Sequence, residues 1–588
     1  MVSTIREKPP RSFNRAAEHT GHHYQTGWCA VLLGFAICAL LWIVSGPTRE
    51  TYVPNGIDIP ALADGLLLAP GAHWQDWFTQ GYSHYFDGYP EWPRGNMGFT
   101  RPAFQFLIYL THFALGRNWE SYQIISCLTA AGVAVAAFLI ARTTLRLGTG
   151  LSLLAAALVM LSPPVLDCWL NGLANAHEPL ATLLVAGAFL AIVARRDFIC
   201  LIFLFVAVLS KENALWAPAA AAITILMRPK PDESFRRRAA AAAAMFLPVV
   251  FWVGLRFTFF DGIGGTYATA RYTPLADYLH LSFQKLSHLD ALFIGQNAFA
   301  TEGQGTYRVV TLGTRLLIYS LFSLLALQFM AEFASRLRHA LYKRSWPTAD
   351  GTFLVSLWAA IALAFHFALA LSSARYATSV AVFAWPALVA EIDRRRRHAV
   401  IWVALALFCV ALSARAYRSL ELALSTHEFS LITTALRQLP SGTRQVYVLP
   451  ASYSFDNFPF VDPEYLRLIL GVPAEIVRIM DFDWKCSDSN TPVAFDHSIA
   501  DGVVNLTVTL PDCANFVFWP PLGDKVANGH LYRSETMSYE LPEVARIEAA
   551  QPYFSIGRNM TVHIRPNGPA RFIIQQGVPN GIAWFDTP

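Results

Sequence analysis

Apolar runs of about bilayer length recur along the first two thirds of this chain, and short clusters of Arg and Lys mark alternate gaps between them. A hydrocarbon layer about 30 Å thick needs roughly 20 apolar residues per helix. No water-soluble fold buries that many such runs. With 54% hydrophobic and only 15% charged residues, and a mean hydropathy of +0.37, the 588-residue chain reads as a polytopic membrane protein. Its net charge of +4 is spread over the inter-run clusters rather than over one face, which sets topology and excludes a nucleic-acid partner.

The positive-inside rule orients the runs. Residues 1–26 form a basic cytoplasmic tail with Arg6, Lys8, Arg11 and Arg15, and no small-residue cleavage site follows a short apolar core, so the first helix, 27–45, is expected to be retained. The loop from 46 to 121 then lies outside, with 104–115 as a short helix on the outer surface. Further spans are expected at 122–145, 151–170, 179–194, 239–260, 309–331, 353–371, 378–392 and 399–413, with basic clusters at 336–344 and 394–397 on the inside. Runs 198–210 and 214–227 are short and have basic flanks on both sides, so they form a hairpin entering and leaving from the cytoplasm. The expected architecture is all-α, with about eleven transmembrane helices over 27–414 and external loops at 46–121 and 261–308.

From residue 415 hydropathy falls, and 415–588 reads as a small extracytoplasmic α/β or β-rich domain. Thr426 is placed to cap a helix reaching Gln438, and strands are expected at 445–449, 503–510, 516–518, 560–564 and 571–574. Six of the eight cysteines sit in or beside apolar runs, while Cys486 and Cys513 fall in this domain, where an oxidising compartment permits a disulfide.

Carboxylates gather at one place in the membrane half. The first external loop carries Asp58, Asp64, Asp76, Asp87 and Glu91, followed by Gly98-Phe-Thr-Arg101-Pro102. A carboxylate at the outer surface is suited to take the proton of an attacking hydroxyl, although a loop aspartate also serves as a solvated turn residue. At the hairpin tip Lys211 and Glu212 stand where an ionisable group is costly unless paired or used. They read equally as a structural ion pair and as an ammonium for a lipid-borne phosphate. Arg375 and Tyr376 occupy a tight external turn, where Arg either meets phosphate or snorkels to the interface. Asp167, His177 and Glu178 flank the third external turn, as metal ligands, a base with its orienter, or an N-terminal helix cap. Pro102 at the first helical position accounts for Arg101-Pro102 without a functional role.

These stretches share an order with the GT-C superfamily of membrane glycosyltransferases, which the chain resembles, nearest to its protein O-mannosyltransferase-like branch and the tetratricopeptide-bearing relatives. The resemblance lies in Asp58 after helix one; Phe99-Thr-Arg101-Pro102-Ala-Phe with Leu115-Gly116-Arg-Asn118 and Tyr122; Ser162-Pro-Pro-Val-Leu-Asp167; Leu209-Ser-Lys211-Glu212-Asn-Ala-Leu215 with Pro218; and Ala374-Arg375-Tyr376. It covers residues 58–391 and leaves out the C-terminal domain.

The resemblance implies inverting transfer of one sugar from a polyprenyl-phosphate donor to a protein, lipid or glycan hydroxyl on the periplasmic or luminal face. By the same resemblance Asp58 is the base, Lys211 and Arg375, beside Tyr376, meet the donor phosphate, and Asp167 stands at the second-loop acid. Where the family often has two adjacent acids, Asp58 is followed by Ile59, which leaves Asp64 or Asp87 as its partner. Arg101, His177, Glu178 and Glu212 complete the candidate site. No cofactor is required by this reading; a divalent metal is left open. The expected location is a bacterial inner membrane with the C-terminal domain in the periplasm. Two other functions compete: a transporter or flippase of a lipid-linked substrate, which favours ionisable groups inside spans and repeat symmetry, and a non-catalytic scaffold.

Overall fold

The computed structural model describes residues 12–45, 101–115, 119–170, 176–228, 234–259, 350–368 and 377–394 of the helical part, with scattered residues of 320–339, and 435–587 with gaps. The helices in chain order are α1 (Ser12–Val44), α2 (Pro102–Leu115), α3 (Trp119–Leu139), α4 (Thr149–Leu161), α5 (Pro163–Leu170), α6 (His177–Val193), α7 (Asp197–Ser210), α8 (Ala217–Met227), α9 (Phe235–Ala244), α10 (Leu247–Phe259), α11 (Gly351–Ala368) and α12 (Thr378–Arg394).

Among the described residues three stretches are long and apolar enough to cross a membrane, Thr26–Val44, Tyr122–Thr144 and Phe235–Thr258. Thr149–Leu161, His177–Val193, Asp197–Ser210 and Gly351–His366 are shorter apolar helices. The chain is thus a helical membrane-type protein, and the expected runs 309–331 and 399–413 fall partly or wholly outside the described residues. Phe35, Ile43, Phe113, Phe198, Val250 and Phe257 are exposed, as an apolar solvent allows.

Local chemistry divides the expected spans. The run 151–170 breaks into α4 and α5 at Ser162, whose backbone is extended (φ −70°, ψ 141°), because a residue before proline is driven out of the helical region. Lys211 ends α7 in an extended conformation (φ −162°, ψ 133°), a 3₁₀ turn covers Glu212–Ala214, and Pro218 opens α8 where its missing N–H is harmless. That break lifts the Lys-Glu pair out of helical geometry between the two arms of the expected hairpin. At the other end of the bundle α3 closes in a π turn, Ile140–Thr144, and Gly351 begins α11 so close that an added Cβ would lie 2.2 Å from the Thr144 carbonyl oxygen.

The bundle core is aromatic. Phe189, Trp216, Trp358 and Phe383 meet from α6, the start of α8, α11 and α12 at centroid distances of 5.1–6.2 Å. The Trp358 indole N–H donates to Thr224 Oγ1 at 2.9 Å, which leaves it satisfied in an apolar interior.

The C-terminal region is β-rich. A four-stranded sheet has the order β13 (Gly581–Thr587), β12 (Ala570–Gly577), β1 (Gln445–Leu449), β2 (Glu475–Arg478); β1 pairs parallel with both β12 and β2, and β13 is antiparallel to β12. A three-stranded sheet joins β10 (Phe554–Ser555), β6 (Ala514–Phe518) and β3 (Asp481–Trp484). The third sheet runs β4 (Ala494–Ala500), β5 (Val503–Thr509), β11 (Asn559–Ile564), β9 (Met537–Glu540), β8 (His530–Ser534), β7 (Lys525–Ala527). Alternation puts Val504, Leu506 and Val508 with Met560, Val562, Ile564 and Tyr539 into one core with Tyr447, Leu449, Phe572 and Ile574. Asp501 (φ 52°) and Gly502 (φ 73°) form the two-residue β4–β5 turn, the pairing that a left-handed hairpin turn demands. Cys486 and Cys513 lie outside the described residues.

Candidate functional site

The ends of three helical elements meet around the hairpin tip. α2 begins at Pro102, so Arg101 stands at its N-terminal edge, and 4% of it is exposed. α6 begins at His177, with Glu178 in its first turn and both buried. The break after α7 supplies Lys211, Glu212 and Asn213.

Arg101 grips Glu212 with two parallel bonds, Nη2 to Oε1 at 2.8 Å and Nε to Oε2 at 3.2 Å, across 111 residues of chain. This is the bidentate geometry that makes a guanidinium–carboxylate pair directional. Lys211 Nζ lies 3.2 Å from Glu212 Oε1 and 3.2 Å from Glu178 Oε1, so two carboxylates fix one ammonium. Asn213 Nδ2 donates to Glu178 Oε2 at 3.1 Å. His177 Nε2 is 3.5 Å from Arg101 Nη1 and 3.5 Å from Glu178 Oε1, and Phe104 packs edge-on against the imidazole at 5.3 Å.

Glu212 retains the most solvent contact, with 26% of its side chain exposed against 3% for Glu178 and 5% for Lys211. Burial alone would push its carboxyl up. The charges of Arg101 and then Lys211, with the Arg101 hydrogen bond, outweigh that and hold it well below the usual carboxylate range. Glu212 is therefore ionised at neutral pH. The cluster holds two cations and two carboxylates within hydrogen-bond reach of one another, the kind of array that can bind an anion by rearranging its pairs.

Five of the sequence candidates, Arg101, His177, Glu178, Lys211 and Glu212, thus come together. The ion-pair reading of Lys211 and Glu212 is realised, and Lys211 has Glu178 as a second partner. Arg101 does more than precede a helix-starting proline. Glu178 takes its place in the first turn of α6, but the cap residue is Ala176 and makes no side-chain cap bond, so the capping role expected for His177-Glu178 gives way to pairing with Lys211. Asn213 was not singled out; an amide next to two ionisable residues in an apolar setting was the available signal. Asp167 lies on α5, tied to α3 by Gln123 Nε2 donating to Trp169 O at 3.1 Å and to the start of α12 by Thr378 Oγ1 donating to Pro164 O at 3.3 Å. Asp58, Asp64, Asp87, Arg375 and Tyr376 lie outside the described residues. Among the described residues no group of three or more His, Cys, Asp or Glu is placed to hold a metal ion.

No family model matches the chain. No curated protein matches it to a significant degree. Solved structures similar to it include ArnT from Cupriavidus metallidurans bound to undecaprenyl phosphate, at 13% identity and a TM-score of 0.38 over 78% of this chain and 93% of that one. Others are the apo oligosaccharyltransferase of Archaeoglobus fulgidus, at 14% identity and a TM-score of 0.36 over 76% and 64% of the two chains, and the same organism's AglB with an inhibitory peptide and a dolichol-phosphate, at 12% and 0.34 over 76% and 64%.

Proposed function

We propose that this protein transfers a sugar from a polyprenyl-phosphate carrier to an acceptor hydroxyl at the outer face of the membrane. The observation that carries the reading is the buried cluster of Arg101, His177, Glu178, Lys211, Glu212 and Asn213 at the ends of apolar helices. Ionisable groups there are costly, and an array fixed from three distant segments serves a ligand with charge next to a lipid tail. The resemblance in motif order to the GT-C glycosyltransferases supports the same reading.

In the reaction, the acceptor oxygen attacks the anomeric carbon while Asp58, with Asp64 or Asp87 near it, takes the hydroxyl proton. The bond between that carbon and the phosphate oxygen breaks, the sugar inverts, and the electron pair leaves on the lipid phosphate. Lys211 stabilises the charge that develops there, together with Arg375 beside Tyr376. Arg101 and Glu178 hold Lys211 and Glu212 in register. Asp167 stands at the second-loop acid position. The acceptor is a protein, a lipid or a glycan, and a divalent metal is left open. We place the protein in a bacterial inner membrane, spanning it about eleven times, with residues 415–588 in the periplasm.

The test is mass spectrometry of cell-surface glycans, glycoproteins and glycolipids with and without the gene. Loss of one sugar unit from a defined product is expected. Unchanged products with an altered distribution of a lipid-linked sugar between membrane leaflets would instead indicate a flippase.

A further inference from the structure

Among the described residues β4 is the end strand of the six-stranded sheet and pairs with β5 alone. Successive residues of a strand face opposite sides, and in β4 every residue except the half-buried Phe495 is exposed, so both of its faces are open. On the core side, Phe495 and His497 lie nearly parallel to the ring of Phe585 on β13, at centroid distances of 6.4 and 3.8 Å. Ile499 beside them is 47% exposed. Asp496 and Ser498 stand on the other side.

The backbone edge of β4 is open as well. The His497 N–H goes to the Asp496 carboxylate at 2.8 Å rather than to β5. In an antiparallel ladder, residues that bond to the neighbouring strand alternate with residues that turn their N–H and C=O away. Phe495, His497 and Ile499 therefore present their backbone groups to the outer edge, while Ala494, Asp496, Ser498 and Ala500 face β5. Natural edges of this kind are blunted by lysine, proline or a bulge. β4 has none of the three.

Its sequence is close to a palindrome in size and chemistry. Laid antiparallel against a second copy about a two-fold axis at His497, the strand sets Ala494 opposite Ala500, Phe495 opposite Ile499 and Asp496 opposite Ser498. Phe495 with Ile499, and His497 with its own copy, are the pairs whose backbone groups point outward, so each exchanges both hydrogen bonds. Side chains directly opposite share a face. The exposed Ile499 is then covered by Phe495 of the second copy, which carries the apolar core from one copy into the next. Each Asp496 meets a hydroxyl, where a like charge would have opposed pairing.

We infer that β4 is a self-pairing edge through which two copies of this protein join by their C-terminal regions, the six-stranded sheets running on across the axis at His497. One pair of seven-residue strands makes a small interface. Anchoring both copies in one membrane raises their effective concentration and offsets that.

The test uses the full-length protein, in detergent over a concentration series followed by sedimentation velocity, and in isolated membranes treated with an oxidant. A dimer that dissociates on dilution is expected. Ile499→Lys puts a charge on a side chain that is already exposed and should weaken the dimer about tenfold or more. Thr509→Lys, the same charge on the exposed face of β5, should leave it unchanged. In membranes His497→Cys should give a disulfide-linked dimer above the wild-type background, because facing residues of a bonded pair lie about 5.5 Å apart between Cα atoms, within disulfide range. Thr509→Cys should not. If detergent separates the copies, the membrane cross-link decides. Absence of that cross-link, a dimer that Ile499→Lys leaves intact, or a smaller polypeptide joined to His497→Cys in place of a second copy would each overturn the inference.

Discussion

Arg571 and Arg101 each grip both oxygens of one carboxylate, and their surroundings differ. Arg571 on β12 holds Asp586 of β13, directly across in register, at 2.7 and 2.8 Å. Its remaining reach goes to the backbone oxygens of Ala435 and Gln438, both at 3.0 Å. That arginine fastens a helical segment to a sheet. Arg101 holds Glu212 at 2.8 and 3.2 Å, but the groups around that pair are His177, Lys211 and Glu178, all ionisable and drawn from two further helix ends. A guanidinium that donates to carbonyls and one acid is a clasp. One placed among other charges in an apolar bundle has an electrostatic use, because pairs alone are no cheaper than apolar packing.

Perturbing the two clasps should therefore separate activity from stability. The largest effect is expected for Lys211→Gln, which should lower sugar transfer about 100-fold or more, the scale for removing one group that stabilises developing negative charge. Arg571→Met, measured in the same assay on protein that still folds, should leave transfer near wild type; comparable losses would erase the distinction. Next comes Glu178→Gln. It leaves Lys211 with a weakened partner in a buried site and should destabilise the protein by about 3–5 kcal/mol, read as a fall in the thermal unfolding midpoint.

The acid response sharpens the contrast further. The Glu212 carboxyl is depressed in the folded protein, so its contribution is fully present above the ordinary carboxylate value of about 4.3 and is lost as pH falls from there toward the lowered value. Unfolding measured from pH 7 to pH 3 should show stability falling below about pH 4 in the wild type, with a smaller fall in Glu212→Gln. The smallest effect is expected for Asp586→Asn, at about 1 kcal/mol, because 42% of that side chain is exposed and water takes up much of what the bond provides. A fall as large as that of Glu178→Gln would show the C-terminal clasp to be the costlier one to break.

Much of the fold could be read from the chain because its strongest signals are local. Apolar length gave the bundle, and alternation located β5 and β11, whose buried faces repeat every second residue, while β1 was found as a short apolar segment that is buried throughout. β4 escaped because its residues are nearly all exposed and leave no apolar period. β2 escaped because Glu475-Ile-Val-Arg478 earns strand geometry only by parallel pairing with β1, 30 residues away. For the site, Lys211 and Glu212 were legible as charges in an apolar setting. Arg101 was a candidate through the resemblance alone, because Pro102 supplied a sufficient local reason for the dipeptide. Pairing of Arg101 with Glu212 over 111 residues, and of Asn213 with Glu178 over 35, has no local pattern at all.

The account's central claim is that the charged cluster holds the donor phosphate while an acid of the first loop activates the acceptor. It is tested most directly by measuring polyprenyl-phosphate binding and sugar transfer on the same preparations of wild type, Lys211→Gln and Asp58→Asn. The account predicts that Lys211→Gln loses binding by about tenfold or more, and that Asp58→Asn binds like wild type yet transfers no sugar. Wild-type donor affinity in Lys211→Gln, or undiminished transfer in Asp58→Asn, would contradict it.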